Sequence, residues 1–265
     1  MDKINKILLN IIILWSILAI IFGFYDLQIS KYVVVYKNSQ LFDIGNGYGD
    51  NFTRPLLYVC ITILLGSIFN DIKTQRKIGT IMMIYFIIYY FYLFLCEKII
   101  NQYLILIFLI IFFISIYNKN WRNYLPIIVL IILLLIFTTI IIDIIKVSWR
   151  RIRYKDLTSD SEFTEWYIIN RAKKHGSSFP SGHTANSCIF YPFLIYIKKK
   201  EISKKVKIIL IFIVIGFSLY VGISRIVVGK HYASDVLFSI GICSILTIIF
   251  YKVFNSLDFF KEWGL

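Results

Sequence analysis

Long runs of Ile, Leu, Phe and Tyr, separated by short polar clusters, recur along the whole chain. Eight stand out, at 7–25, 55–69, 78–96, 102–117, 126–145, 184–197, 207–223 and 232–251. A helix crosses a bilayer's hydrocarbon with about 20 apolar residues, roughly 17–25 being tolerated, so the pattern predicts about eight transmembrane helices. The runs are continuous and do not alternate with period two. Backbone in lipid must also satisfy its own polar groups within the segment, which favours helices over a β-barrel. The predicted fold is therefore all-α, a polytopic membrane helix bundle. The first run follows Met1-Asp2-Lys3-Ile4-Asn5-Lys6 with no small-residue cleavage site after it, which predicts an uncleaved signal anchor.

Composition agrees with the pattern. The chain has 265 residues, 58% of them hydrophobic, and a mean hydropathy of +0.75, whereas soluble domains are roughly 45–50% apolar. The formal net charge of +14 invites a nucleic-acid reading. The basic residues are, however, spread over the loops between runs, which fits attraction to anionic lipid headgroups better than a nucleic-acid surface. Cys60, Cys96, Cys188 and Cys243 fall in or beside the apolar runs without CxxC spacing. They read as small apolar fillers, and neither a disulfide framework nor a zinc site is expected.

An even number of spans puts both termini on one side. Lys and Arg divide almost equally, 15 of the 29 falling on the terminus side, so the raw tally decides nothing. Their distribution says more. Eight of the remaining 14 crowd into the single stretch 146–183, where chemistry can occupy them, whereas the cluster from Lys198 to Lys207 has no such use. The expected orientation has cytoplasmic termini and an outward-facing 146–183 stretch.

Two long loops are expected on that outward side. Loop 26–54 contains Gly45-Asn46-Gly47-Tyr48-Gly49, which lacks the preceding strand and following Lys-Ser/Thr of a phosphate-cradling loop and reads as a turn cluster. Loop 154–182 carries Phe163, Trp166, Tyr167, Ile168 and Ile169, residues suited to the headgroup level. It is expected to lie on the membrane surface.

Three short segments carry the candidate chemistry. Lys146 and Arg153 stand seven residues apart at the exit of the fifth run, with Arg150 and Arg151 between them. They read either as an interfacial basic belt or, two turns apart on one face of a continuing helix, as a two-point phosphate clamp. Pro180-Ser181-Gly182-His183 immediately precedes the sixth run. Pro suits a helix start, Gly allows close backbone approach, and the unpaired N–H groups of a helix N-terminus attract anions. His183 is then held beside a bound anion. Ser224-Arg225 closes the seventh run, His231 opens the eighth, and Asp235 follows four residues later. On a helix i and i+4 share a face, so Asp235 can orient the imidazole of His231 and leave its other nitrogen nucleophilic. The bland alternative is a His–Asp clasp between helix ends, but a carboxylate inside a span is costly and usually functional.

Together these segments resemble the signature of the type 2 phosphatidic acid phosphatase family, related to acid phosphatases and vanadium haloperoxidases: Lys-x6-Arg-Pro, Pro-Ser-Gly-His, then Ser-Arg-x5-His-x3-Asp. The second and third parts match fully; the first has Tyr154 in place of Pro. The resemblance covers about 146–251. No repeat or linker divides the chain, so a single membrane domain, 1–265, is expected, and the resemblance makes the spans over 1–125 additions to a catalytic core over 126–252. It further implies a phosphatase for a lipid phosphate or diphosphate, reached laterally in a bacterial plasma membrane, with the site facing outward. By resemblance, His231 is the nucleophile, Asp235 its orienter and His183 the acid. Lys146, Arg153, Ser181, Gly182 and Arg225 hold phosphate. No metal or other cofactor, nucleic acid or obligate protein partner is expected. Phosphotransfer to another acceptor, or a phosphate-binding transporter without catalysis, are the alternatives.

Overall fold

The computed structural model describes residues 3–36, 38–97, 101–170 and 176–256. Among these residues there is no strand and there are nine α-helices. They are α1 (Lys3–Val33), α2 (Gln40–Gly66), α3 (Ile72–Glu97), α4 (Asn101–Ile116), α5 (Leu125–Trp149), α6 (Gly182–Ser187), α7 (Pro192–Lys199), α8 (Lys204–Val227) and α9 (Ala233–Ser256). Each apolar run of the sequence falls in helix, with the sixth divided between α6 and α7. Four stretches, Asn5–Tyr36, Trp121–Asp156, Lys204–Val227 and Ala233–Ser256, are long and apolar enough to cross a membrane; Phe52–Gly66 and Ile105–Ile116 are shorter apolar helices. The outer surface is what lipid requires: Phe24, Ile114 and Phe212 are 70%, 68% and 76% exposed, an arrangement that water would penalise.

The sixth run breaks at Pro192, which lacks the N–H needed to continue the helical ladder. The chain crosses the gap through a 3-10 turn, Cys188–Phe190, in which the Tyr191 N–H bonds to the Cys188 carbonyl at 2.9 Å. Buried Cys188 and Cys243 pack with Leu134, Ile142, Ala185 and Tyr191 in the core joining α5, α6 and α9. A larger core around Phe86, Ile105, Trp121 and Ile131 ties α2 to α5.

The expected loop 26–54 is corrected by the structure, for most of it is helical. The polar residues Asp26 and Ser30 end the apolar run but do not end α1, because they lie four apart on one face and are both buried inside the protein. The Gly45–Gly49 cluster is likewise not a turn but part of α2. Gly45 lets two helices touch: a Cβ there would overlap Ser224 and Tyr220 of α8.

The direction of each pass defines two ends. Lys252 Nζ donates to Asn5 Oδ1 at 2.7 Å, so the start of α1 meets the end of α9. At the other end Asp26 meets Ser234 at the start of α9, with Ser234 N–H donating to Asp26 Oδ1 at 2.9 Å. The 24-residue α8, about 36 Å long at 1.5 Å per residue, separates Lys204 and Lys205 at its start from Arg225 in its last turn. The basic cluster therefore lies at the end of the bundle opposite the three segments described above.

Candidate active site

All three segments converge at the second end of the bundle. The Nδ1 atom of His231 lies 2.7 Å from the Ser178 carbonyl oxygen and 3.3 Å from Asp235 Oδ2. Both partners only accept when the carboxylate is ionised, so the proton belongs on Nδ1 and the lone pair on Nε2. The orienting role read for Asp235 is thus shared, and the backbone carbonyl of Ser178 is the nearer partner. His231 itself precedes α9 and lies in the turn after α8; Asp235, in the first turn of α9, also accepts the Tyr232 N–H at 2.9 Å and the Ser178 hydroxyl at 2.5 Å. His231 and Asp235 are 2% and 0% exposed.

Burial pushes the His231 imidazole down to about 4; Asp235 opposes that shift, while the cations Arg225 and Lys146 add to it. The ring is therefore neutral at ordinary pH, with the lone pair of Nε2 unprotonated. The neighbouring Lys230 is also pushed down, first by burial and then by Arg225, Lys155 and Arg153. Lys146, Arg153 and Arg225 accordingly gather around the same corner, although they come from α5, the loop after it and α8.

Arg153 reaches the site by a route the spacing does not predict. Lys146 and Arg153 do not share a helix face: α5 stops at Trp149, with Arg150 in the left-handed region at φ 50°, ψ 33° and its N–H bonded to the Lys146 carbonyl at 3.1 Å. Such a residue turns the chain out of the helix. Arg153 follows in extended backbone, φ −72°, ψ 148°, the geometry a following Pro would impose. The chain thus takes that path with Tyr154 in the Pro position, and the Lys155 N–H bonds to the Gly229 carbonyl at 2.9 Å. Arg153 donates from Nη2 to Ser177 Oγ at 3.1 Å, while its Nε is buried without a hydrogen-bond partner among the described residues. Buried donors of that kind are usually satisfied; an anion would satisfy this one.

The Pro-Ser-Gly-His segment lies at the start of α6. Ser181 is its N-cap: the hydroxyl oxygen accepts from Thr184 N at 3.4 Å and from Thr184 Oγ1 at 2.8 Å. Its N–H bonds to the Asp235 carbonyl at 3.1 Å and its own carbonyl accepts from Ser239 Oγ at 2.8 Å, tying α6 to α9. Gly182 is where the Lys146 side chain comes against this turn, since a Cβ would lie 3.0 Å from Lys146 Nζ. Lys146, Gly182 and His183 line a cavity of about 230 Å³ that also touches Thr138, Asp143 and Asn186, between α5 and α6. Arg225 is 3% exposed and donates to the carbonyl and side-chain oxygens of Asn46 in α2.

Two charged residues of this region lie outside the three-segment reading. Arg151, seen in the sequence as one member of a basic belt, is wholly buried and pairs with Asp235 at 2.7 Å and Asp26 at 2.9 Å. Asp26 belongs to α1, where nothing but its presence at the edge of an apolar run marks it. The aromatic loop behaves in two ways. Trp166 donates to the Ala19 carbonyl at 2.8 Å and Phe163 packs on Tyr232, whereas Tyr167, Ile168 and Ile169 remain exposed. Its inner half thus locks α1 against the site.

Three cations and an oriented, neutral histidine thus gather at one end of a helical membrane protein. The model of the PAP2 superfamily matches residues 124–258, and the chain belongs to that family. Phosphatidylglycerophosphatase B of Bacillus subtilis (strain 168) is 41% identical over 71 residues, 24% of this chain; the match spans 34% of that relative's length, about a third. No solved structure gives a significant match.

Proposed function

We propose that this protein is a membrane phosphatase that hydrolyses a lipid phosphate or diphosphate through a phosphohistidine, at the outer face of a bacterial plasma membrane. The observation that carries the reading is the state of His231: neutral, Nδ1 tied to the Ser178 carbonyl and Asp235, and surrounded by cations. Recognition of phosphate alone needs cations and donors, but not an oriented nucleophile.

In the proposed reaction Lys146, Arg153 and Arg225 hold the phosphate oxygens, with the Gly182 N–H and the proton of the Ser181 hydroxyl as further donors. They neutralise charge as it grows in the transition state, where one donor is worth roughly 10²–10³ in rate. His231 Nε2 attacks phosphorus and the ester P–O bond breaks. The leaving oxygen takes its proton from His183. Water then attacks the phosphohistidine, giving its proton to His183, and the N–P bond breaks to return His231 and inorganic phosphate. Membership in the PAP2 superfamily supports the phosphatase class. The cations do the electrostatic work that magnesium does in other phosphoryl transfers, so activity is independent of divalent metal.

The similarity to a phosphatidylglycerophosphatase B makes phosphatidylglycerol phosphate the first substrate to try, alongside phosphatidate, a polyprenyl diphosphate and a phosphorylated saccharolipid. Detergent-purified protein is incubated with each, with and without chelator, and released phosphate is measured. Release that His231→Ala abolishes supports the reading. Release from none of the four, or undiminished release by His231→Ala, refutes it, and label appearing on an added alcohol in place of water identifies a transferase.

A further inference from the structure

Asp26 lies outside residues 124–258, the part of the chain that the family model matches. It is 1% exposed, in a helix whose outer face carries exposed apolar side chains such as Ile20 and Phe24. Its Oδ2 takes Arg151 Nη2 at 2.9 Å and the Ser234 hydroxyl, and its Oδ1 takes the Ser234 N–H at 2.9 Å. Arg151 is just as enclosed. Its Nη1 donates to Asp235 Oδ1 at 2.7 Å and Ser234 Oγ at 2.8 Å, its Nε to the Thr164 carbonyl at 2.8 Å, and Tyr232 stacks on the guanidinium at 4.1 Å. The other oxygen of Asp235 faces His231. A continuous buried line therefore runs Asp26–Arg151–Asp235–His231.

Its charges explain why a second carboxylate is needed. Arg151 paired with Asp235 alone would be a neutral couple, leaving Asp235 little net charge with which to hold an imidazole that gains positive character as it attacks. With Asp26 the trio carries one net negative charge. Two carboxylates also define the plane of the guanidinium, whose donors have a rigid fork geometry, and that plane determines where Asp235 Oδ1 sits.

We propose that Asp26 of α1 is a positioning residue for the reaction: acting through Arg151, it fixes the orientation and charge of Asp235 and thereby the reactivity of His231. The proposal rests on the phosphohistidine reading. It also gives the first helix a part in the site, with Trp166 of the aromatic loop holding α1 in place.

The test uses full-length protein and dioleoyl phosphatidylglycerol phosphate in mixed micelles, comparing wild type, Asp26→Asn, Asp235→Asn, the double variant and His231→Ala. Asp26→Asn keeps the shape and most hydrogen bonds but removes the charge. By analogy with partners one shell removed from a functional histidine, kcat falls about 10–100-fold, while KM and inhibition by inorganic phosphate stay within about twofold. In the Asp235→Asn background the same substitution changes kcat by less than about twofold, because its route to His231 is already cut. An unchanged kcat, or the same fold-loss in both backgrounds, overturns the proposal and marks Asp26 as a clasp acting on the fold alone. Should Asp26→Asn not fold, Ser234→Ala removes the hydroxyl shared by Asp26 and Arg151 while keeping every charge; a loss of about threefold that vanishes beside Asp235→Asn supports the proposal, and no loss overturns it. An inactive His231→Ala beside a fully active Asp26→Asn refutes the Asp26 role alone. Wild-type turnover by His231→Ala, or no turnover by wild type of this lipid or of the other three named above, refutes the reading beneath it.

Discussion

Titration of His231 tests the site at its root. A solvated imidazole is half protonated near pH 6.5; in the fold, burial pushes this to about 4. At pH 5.5 a solvated ring would be about 90% protonated, whereas His231 would be about 3% protonated, from the difference between those two values. The unfolded chain therefore takes up a proton before the native one does, and stability present above pH 6.5 is lost as pH falls from there to about 4. At about 1.36 kcal/mol per unit, the loss is about 3 kcal/mol. The chain has three histidines, so labelling their nitrogens isotopically and recording NMR spectra in micelles gives a small set of resonances, and His231→Gln assigns its own by deletion. The expected result is a His231 ring that keeps the Nδ1–H tautomer from pH 8 to 5 and titrates only near 4. A midpoint near 6.5, or the Nε2–H tautomer, would refute both the burial argument and the assignment of Nε2 as nucleophile.

Other expectations follow from the same geometry. Asp235→Asn retains a folded site but lowers kcat at least tenfold, less than His231→Ala does, because the Ser178 carbonyl still holds Nδ1; steady-state kinetics on folded variants check it. Arg151→Met leaves two buried carboxylates facing one another, and removing one partner from a buried ion pair costs about 3–5 kcal/mol; a lowered Tm in detergent is the readout, and an unchanged one contradicts the burial of the trio. Phosphate release continues in excess chelator at its full rate, and loss of release that added magnesium restores would contradict the role given to the cations.

The helices and the three segments were legible because each rests on a local signal. Apolar runs mark the helices, and the spacings of Lys146, Arg153, His183, Arg225, His231 and Asp235 survive translation into any path that brings them to one end. Side-chain direction within a helix was not legible. Asp26 and Ser30 ended the first run by hydropathy, yet they point inward and the helix continues to Val33. Arg151 sat among Lys146, Arg150 and Arg153 with nothing to distinguish the one buried member from its neighbours. The left-handed Arg150 that ends α5 has no Gly to announce it, so an unbroken helix through Arg153 was the natural expectation. Ser178 holds His231 through its carbonyl, which every residue possesses. The Gly45–Gly49 cluster shows the converse: glycines in a polar stretch read as a turn, but Gly45 serves close packing of α2 on α8.

The central claim is that His231 becomes phosphorylated. Wild-type protein mixed briefly with lipid carrying a radiolabelled phosphate, then quenched in alkali, should retain an acid-labile, base-stable label on a peptide containing His231, with no label in His231→Ala. Steady turnover with no label trapped on the protein at any time, or label on another residue, would contradict it.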